Sequence, residues 1–133
     1  GKDKAGKFEY EIKATDQVLV DNEYVTVVYL GSEDDEDDGY LVNLYTVNKT
    51  DTQITVDATN VSINGYMADP YYMKSVDAGK SAFTTMNWLS SDLEGAQTDK
   101  SSVSNIEIEF DIYDEENSSR EHFFNDKVTI TPQ

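Results

Sequence analysis

The sequence predicts an all-β protein, an antiparallel β-sandwich of about seven short strands, and three observations lead to that prediction. Apolar and acidic residues alternate strictly over residues 106–112, which places the apolar side chains on one face of a strand. Similar runs of β-branched and aromatic residues recur between turn signals along most of the chain. No segment longer than a turn or two carries a helical period. One sheet face is therefore expected to meet a core and the other to meet water.

The first predicted elements are a tether and a hairpin. Residues 1–15 mix lysine, acidic residues and glycine, and we expect a tether or linker there. A short edge strand inside this segment is an alternative, because Phe8, Tyr10 and Ile12 alternate with polar residues. Two β-branched runs between residues 18 and 30 flank a short polar turn, and this arrangement predicts a hairpin.

The middle of the chain contains two further predicted strands. Residues 40–47 form the first, which ends in a polar turn. The second covers residues 54–63, and its alternation slips by one position at Asn60, which indicates a bulge or a local bend. The dipeptide Asn64-Gly65 that follows is a strong turn signal.

The second half completes the predicted sandwich. Strands are expected at residues 81–86, 106–113 and 123–131, with at most one short helical turn near residues 90–95. About seven short strands without a long helix are typical of an immunoglobulin-like fold, and a small barrel is the alternative. We therefore expect residues 16–133 to form one immunoglobulin-like antiparallel β-sandwich.

The same alternation predicts which side chains form the core. We expect Trp88 to line it, with a stacking residue as the alternative. The other residues predicted to be buried are Val25, Val27, Val42, Leu44, Val56, Ile106, Ile108, Phe110, Ile112 and Val128. The residues predicted to be exposed on the opposite face are Glu107, Glu109 and Asp111.

Composition excludes several functional classes. A net charge of −17 repels phosphate backbones and anionic membranes, so we expect no nucleic-acid partner. No apolar run approaches the length of a transmembrane segment. The absence of cysteine excludes disulfides, thiolate zinc sites and thiol nucleophiles. The only histidine, His122, has no serine or threonine marked as a nucleophilic partner and is expected at the surface, so the sequence does not predict an enzyme.

A set of turns, strand ends and core positions carries a family resemblance. These segments are Gln17–Asp21, Val47–Thr50, Val61–Tyr66, Ala78–Lys80, Trp88–Glu94 and Ile106–Tyr113. Together they resemble the uncharacterised immunoglobulin-like domains of Gram-positive bacterial surface lipoproteins, although the loop 95–102 is longer and more polar than the family pattern. The resemblance implies an extracellular, noncatalytic domain anchored at the cell surface, with a lipid anchor upstream of Gly1. It implies no catalytic residues.

An acidic segment is the candidate cation site. Asp34, Glu36 and Asp38 have the spacing found at the start of an EF-hand loop, and clustered carboxylates suit calcium. The twelfth position of that motif is Tyr45, where a bidentate glutamate is needed. We therefore expect residues 31–39 to form a polar, poorly ordered loop that associates weakly with calcium at most, and we expect no other cofactor.

A second candidate site is the aromatic segment 65–73. Its tyrosines, Tyr66, Tyr71 and Tyr72, show no strand period, so several rings could face solvent together. They could equally belong to a crossover between the sheets that covers the core. The expected partner is an unknown protein or glycan at the cell surface. We expect either a protein-interaction or spacer domain or, as the alternative, a carbohydrate-binding domain that uses these three rings.

Overall fold

The computed structural model describes residues 10–133. Most of the predicted tether, including Phe8, lies outside the described residues. Tyr10 and Ile12 lie in an irregular segment and not in the edge strand considered above. The Tyr10 ring packs against Tyr45, with the two ring centroids 5.0 Å apart, so this part of the segment is packed onto the domain.

Strands dominate the described part of the chain. In chain order the elements are β1 (Gln17–Asp21), β2 (Val25–Asp35), β3 (Gly39–Asn48), β4 (Ile54–Ile63), β5 (Tyr66–Met67), β6 (Met73–Val76), β7 (Ser81–Trp88), α1 (Ser90–Gly95), β8 (Ile106–Asp114) and β9 (Phe124–Ile130). All the predicted strands and the short helix are present. The two additional strands, β5 and β6, are too short to give a readable alternation in the sequence. Within these residues no helix is long and apolar enough to cross a membrane.

The strands form two antiparallel sheets, which confirms the all-β sandwich. The first sheet has the order β1-β2-β3-β7. In the second sheet β8 lies between β4 and β9, while β5 and β6 pair with opposite ends of the other edge of β4. The chain passes from the first sheet to the second after β3 and returns after β6. The crossing lies in the turn between β6 and β7, and residues 68–72, which join β5 to β6, run along the edge of β4.

The core lies between the two sheets and contains nearly all of the predicted residues. Ile106, Ile108, Phe110 and Ile112 of β8 are fully buried, and Trp88 is fully buried as well. The predicted residues of β2, β3 and β4 are likewise buried: Val25, Val27, Val42, Leu44 and Val56. Period-2 alternation therefore identifies the inward faces of the long strands correctly.

Two details of the predicted burial are wrong. Val128 is only partly buried, because β9 is an edge strand with a paired neighbour on one side only. Glu107, Glu109 and Asp111 are half-buried and not fully exposed. They stand on the central strand of their sheet, where side chains from both neighbouring strands cover part of their surface.

The register slip at Asn60 is the predicted bulge. The pairing of β4 with β8 shifts between Thr59 and Ser62, and Asn60 adopts a left-handed φ of 46°. Its side-chain Nδ2 donates a hydrogen bond to Glu109 Oε1 at 3.0 Å, which stabilises the irregular position. This irregular position of β4 faces the segment between β5 and β6, because Asn60 lines one cleft with Asp69 and Tyr71.

Candidate functional site

The aromatic segment bridges the edges of the two sheets. The Trp88 indole N–H, from β7, donates to the Ala68 carbonyl oxygen at 2.7 Å, and the Ala68 N–H donates to the Val61 carbonyl of β4 at 3.0 Å. Four residues later, the Ala58 N–H of β4 donates to the Tyr72 carbonyl at 3.1 Å. These bonds fix the segment at both ends against rigid strands.

Burial alternates along this segment, contrary to the expectation of no strand period. Ala68, Pro70 and Tyr72 are buried. The intervening residues, Met67, Asp69, Tyr71 and Met73, are exposed, and we call these four residues the edge ridge. The segment joins two strands that both pair with β4, so the alternative of a crossover between the sheets is wrong. A tyrosine stands in each set, and the exposed set also contains two methionines, so the alternation cannot be read from hydrophobicity alone.

Tyr72 belongs to the core and is not a surface-binding residue. The side chain is only 2% exposed, and its hydroxyl shares a hydrogen bond of 2.6 Å with the Thr84 hydroxyl on β7. Burial raises the pKa of the Tyr72 hydroxyl to about 12, and the bond to Thr84 acts in the opposite direction. A ring with so little accessible surface offers no free face for stacking. We therefore assign Tyr72 a role in positioning the segment, in place of the predicted contact with a ligand.

Tyr71 and Tyr66 are the two exposed rings of the predicted trio. Tyr71 is 88% exposed and has a left-handed φ of 52°, an unusual backbone conformation for an aromatic residue. Its buried neighbours, Pro70 and Tyr72, hold it in place. Tyr66 is 51% exposed on β5 and pairs with Ile63.

A cleft opens beside Tyr71, between the ridge and the bulged edge of β4. Its volume is about 330 Å³. The lining residues are Asp57, Ala58, Thr59, Asn60, Asp69, Tyr71, Tyr72 and Met73, and we call this space the Tyr71 cleft. Tyr66 does not line it. The cleft therefore combines one exposed ring with two carboxylates and a side-chain amide.

Asp57 is in an unfavourable electrostatic environment. It lies directly opposite Asp111 in the pairing of β4 with β8, and like charges at such positions destabilise a sheet. Burial, and then the charge of Asp111, raise the pKa of the Asp57 carboxyl above its usual value. Among the described residues, none forms a side-chain hydrogen bond or an ion pair with the Asp57 carboxylate.

His122 is at the surface, as predicted, and is bound to Asp111. Its Nδ1 lies 2.5 Å from Asp111 Oδ1, and its ring lies 5.3 Å from the Tyr113 ring, centroid to centroid. The carboxylate orients the imidazole, and no hydroxyl among the described residues is hydrogen-bonded to it.

The acidic segment is an ordered hairpin and not the expected loose loop. β2 and β3 remain paired as far as Asp35 and Gly39. Asp35 Oδ1 accepts hydrogen bonds from the N–H groups of Asp37 and Asp38, at 2.8 and 3.0 Å, which closes the turn. In the described part of the chain no three acidic or histidine side chains are grouped so as to hold a metal ion. Weak calcium association through Asp34, Glu36 and Asp38 stays a prediction.

Sequence reasoning found Tyr71 but missed most of the cleft around it. Asp57 is one of the outward residues of an alternating strand, and nothing in its neighbours sets it apart. Asn60 carried a usable signal, because the register slip marks it as the bulge that shapes this edge. Asp69 and Met73 become site residues only through the alternation of the ridge.

Comparison with known proteins gives little further information. No protein-family model matches the sequence, and no curated protein matches it. A similar solved structure is that of DesR, a β-glucosidase from Streptomyces venezuelae, in complex with D-glucose. The match covers 83% of this chain and 15% of that chain, with 15% sequence identity and a TM-score of 0.41. A likeness of this size carries no argument about activity.

Proposed function

We propose that this chain is a noncatalytic extracellular domain of an anchored bacterial surface lipoprotein, and that it binds a protein partner through the edge ridge. The observation that carries the proposal is the exposure of Tyr71 on a segment whose alternate residues are firmly anchored. Met67 and Met73, 78% and 50% exposed, flank it. Tyrosine and methionine are enriched at protein interfaces.

The backbone of Tyr71 supports an interaction role over a spacer role. A spacer needs stability and solubility, and an exposed aromatic residue in the left-handed region contributes to neither. Residues that break a local rule in this way are concentrated at functional sites. The anchors provided by Trp88 and Tyr72 keep the ridge preorganised, which lowers the entropic cost of binding.

The chemistry of His122 supports a noncatalytic role. Its described hydrogen-bond partner is the carboxylate of Asp111 and not a hydroxyl, so the described residues contain no hydroxyl–histidine pair there. Asp111 and Asp57 are neighbours across one sheet and do not face each other across a substrate-sized gap.

Site-specific photocrosslinking tests the proposal. A photoreactive phenylalanine analogue is placed at position 71 and, in a matched control, at Val18, which is 43% exposed on the other sheet. The purified domains are irradiated on cells of the organism that produces the protein. We expect a discrete crosslinked protein from position 71 and not from position 18. Equal crosslinking from both positions, or none from either, would contradict the interaction role and leave the spacer role as the explanation.

Carbohydrate binding is the second candidate, and the Tyr71 cleft is the observation that favours it. A ring beside carboxylate and amide groups can stack on a sugar and accept its hydroxyl hydrogens. A glycan array should then show binding that is lost in Tyr71→Ala and retained in Tyr66→Ala, because Tyr66 lies outside the cleft. Loss in both variants would indicate a binding surface that extends beyond the cleft to Tyr66 on β5.

A further inference from the structure

We propose that the Tyr71 cleft binds an arginine side chain presented by a basic segment of the protein partner. This inference rests on the proposed interaction function and specifies the chemistry that the partner must supply. It is carried by the residues that line the cleft and by the charges that face it.

The described residues that line the cleft include acidic groups and no basic ones. Asp57 and Asp69 contribute carboxylates, and no described lysine, arginine or histidine lines the space. Asp111, the acid opposite Asp57, is already paired with His122, whereas Asp57 has no cationic partner among the described residues. An incoming cation would offset the repulsion between Asp57 and Asp111 that the free protein retains.

The exposed ring selects the kind of cation. A guanidinium group stacks flat on an aromatic face and donates paired hydrogen bonds to a carboxylate, so arginine uses both features of the cleft at once. A guanidinium lies over an aromatic ring elsewhere in this chain, because Arg120 Cζ is 4.8 Å from the centroid of the Phe123 ring. Lys74, the basic residue on β6, lies over the buried Tyr72 ring at 5.9 Å and forms no ion pair within the described residues, so it leaves Asp57 free.

The charge around the cleft also favours a basic partner. Glu109 and Asp111 stand on the neighbouring strand of the same sheet, and the net charge of the chain is −17. A field of this sign accelerates association with a basic protein and makes it sensitive to salt. A neutral sugar would gain nothing from this field and would leave Asp57 without a counter-charge. The flanking Met67 and Met73 also suit a protein surface better than a sugar.

Titration of the labelled domain with small probes tests the inference. Amide chemical shifts of the ¹⁵N-labelled protein are followed with N-acetyl-arginine methylamide and with its neutral analogue, N-acetyl-citrulline methylamide. We expect the arginine derivative to shift the amides of Ala58, Asn60, Tyr71 and Met73, with saturation in the millimolar range, and the citrulline derivative to leave them unchanged.

Two variants separate the cleft from general attraction to an acidic protein. Asp57→Asn should weaken arginine binding about tenfold, because it removes a charged hydrogen-bond acceptor. Asp51→Asn, in the exposed turn before β4, makes the same change in net charge outside the cleft and should have no effect. The spectrum of each variant shows directly whether it is folded, and Tyr71→Asn provides a second test, since it should also weaken binding.

Several outcomes would overturn the inference. Equal amide shifts with the arginine and the citrulline derivatives would show that charge plays no part in binding to the cleft. Shifts spread over the whole acidic surface and unchanged by Asp57→Asn would indicate nonspecific attraction. Shifts at the cleft with methyl β-glucoside but not with arginine would favour the carbohydrate candidate. If crosslinking from position 71 succeeds while the arginine titration fails, only the ligand assignment is lost. If crosslinking fails, the interaction function itself is lost.

Discussion

Replacement of Tyr71 by asparagine is predicted to stabilise the protein while weakening its binding. The non-glycine residues with positive φ in the described part are Asn60, Asn64, Tyr71 and Gln97. Asparagine tolerates the left-handed region because its short polar side chain can hydrogen-bond locally. A tyrosine at such a position therefore costs stability that asparagine would not.

The size of the effect follows from the strain and the exposure of Tyr71. A strained backbone position costs about 1 kcal/mol or more, and most of this should be recovered in Tyr71→Asn. The side chain is 88% exposed, so only a small part of its surface is buried. If roughly 25 Å² of a side chain of about 200 Å² is buried, its removal costs about 0.6 kcal/mol. The net expectation is a gain of about 0.5 kcal/mol in the free energy of unfolding.

Urea unfolding of the wild type and two variants measures this gain. Tyr66→Asn is the matched control, because Tyr66 is also exposed but lies in a strand, where asparagine is disfavoured. We expect Tyr71→Asn to unfold at a higher urea concentration than the wild type, and Tyr66→Asn at the same or a lower one. A loss of stability in Tyr71→Asn would refute the claim that the native residue is strained.

Other predictions concern the core, one glycine and one carboxylate. Phe110→Ala should lower the free energy of unfolding by about 3–5 kcal/mol in urea titrations, because it empties a fully buried site, and a loss below about 1 kcal/mol would contradict the assigned inward face. Gly39→Ala should cost about 1–3 kcal/mol more than Gly65→Ala. Both glycines have a left-handed φ, but only at Gly39 would the added carbon overlap a backbone carbonyl, that of Trp88. Burial acts to raise the pKa of the Asp114 carboxyl, but its hydrogen bonds outweigh burial and lower that pKa overall. Its stabilising contribution is therefore present above about pH 4 and is lost as the pH falls below that value. The stability difference between the wild type and Asp114→Asn should shrink in acid, and a difference that stays constant down to pH 2.5 would contradict this.

The long strands could be predicted from the sequence because each one carries its own evidence. In β8 every second residue is apolar, and the position of each side chain follows from the period alone. The acidic hairpin could not be predicted in the same way, because its like charges indicated a loose loop. Pairing of β2 with β3, together with the turn closed by the Asp35 carboxylate, outweighs that repulsion.

The candidate site shows why sequence alone could not separate two adjacent tyrosines. Tyr71 and Tyr72 are chemically identical and differ by one position, yet one is 88% and the other 2% exposed. The difference is set by partners distant in sequence: the Ala58 N–H, which binds the Tyr72 carbonyl, and the Thr84 hydroxyl, which binds the Tyr72 side chain. Neither partner leaves a trace in the residues around position 72.

The Tyr71 cleft brings together two features that each lower stability. One is the left-handed backbone of Tyr71, and the other is the placement of Asp57 opposite Asp111. Either could be removed by a single substitution to asparagine without disturbing the core, since Tyr71 is exposed and Asp57 is half-buried on the outer face of its sheet. Natural proteins that retain such features at one place usually use them for function. A stacked guanidinium would use the ring that the strain exposes and would neutralise the carboxylate that the sheet leaves unpaired. The two costs therefore have one common explanation, and stability measurements on Tyr71→Asn and Asp57→Asn, set against their loss of arginine binding, test it directly.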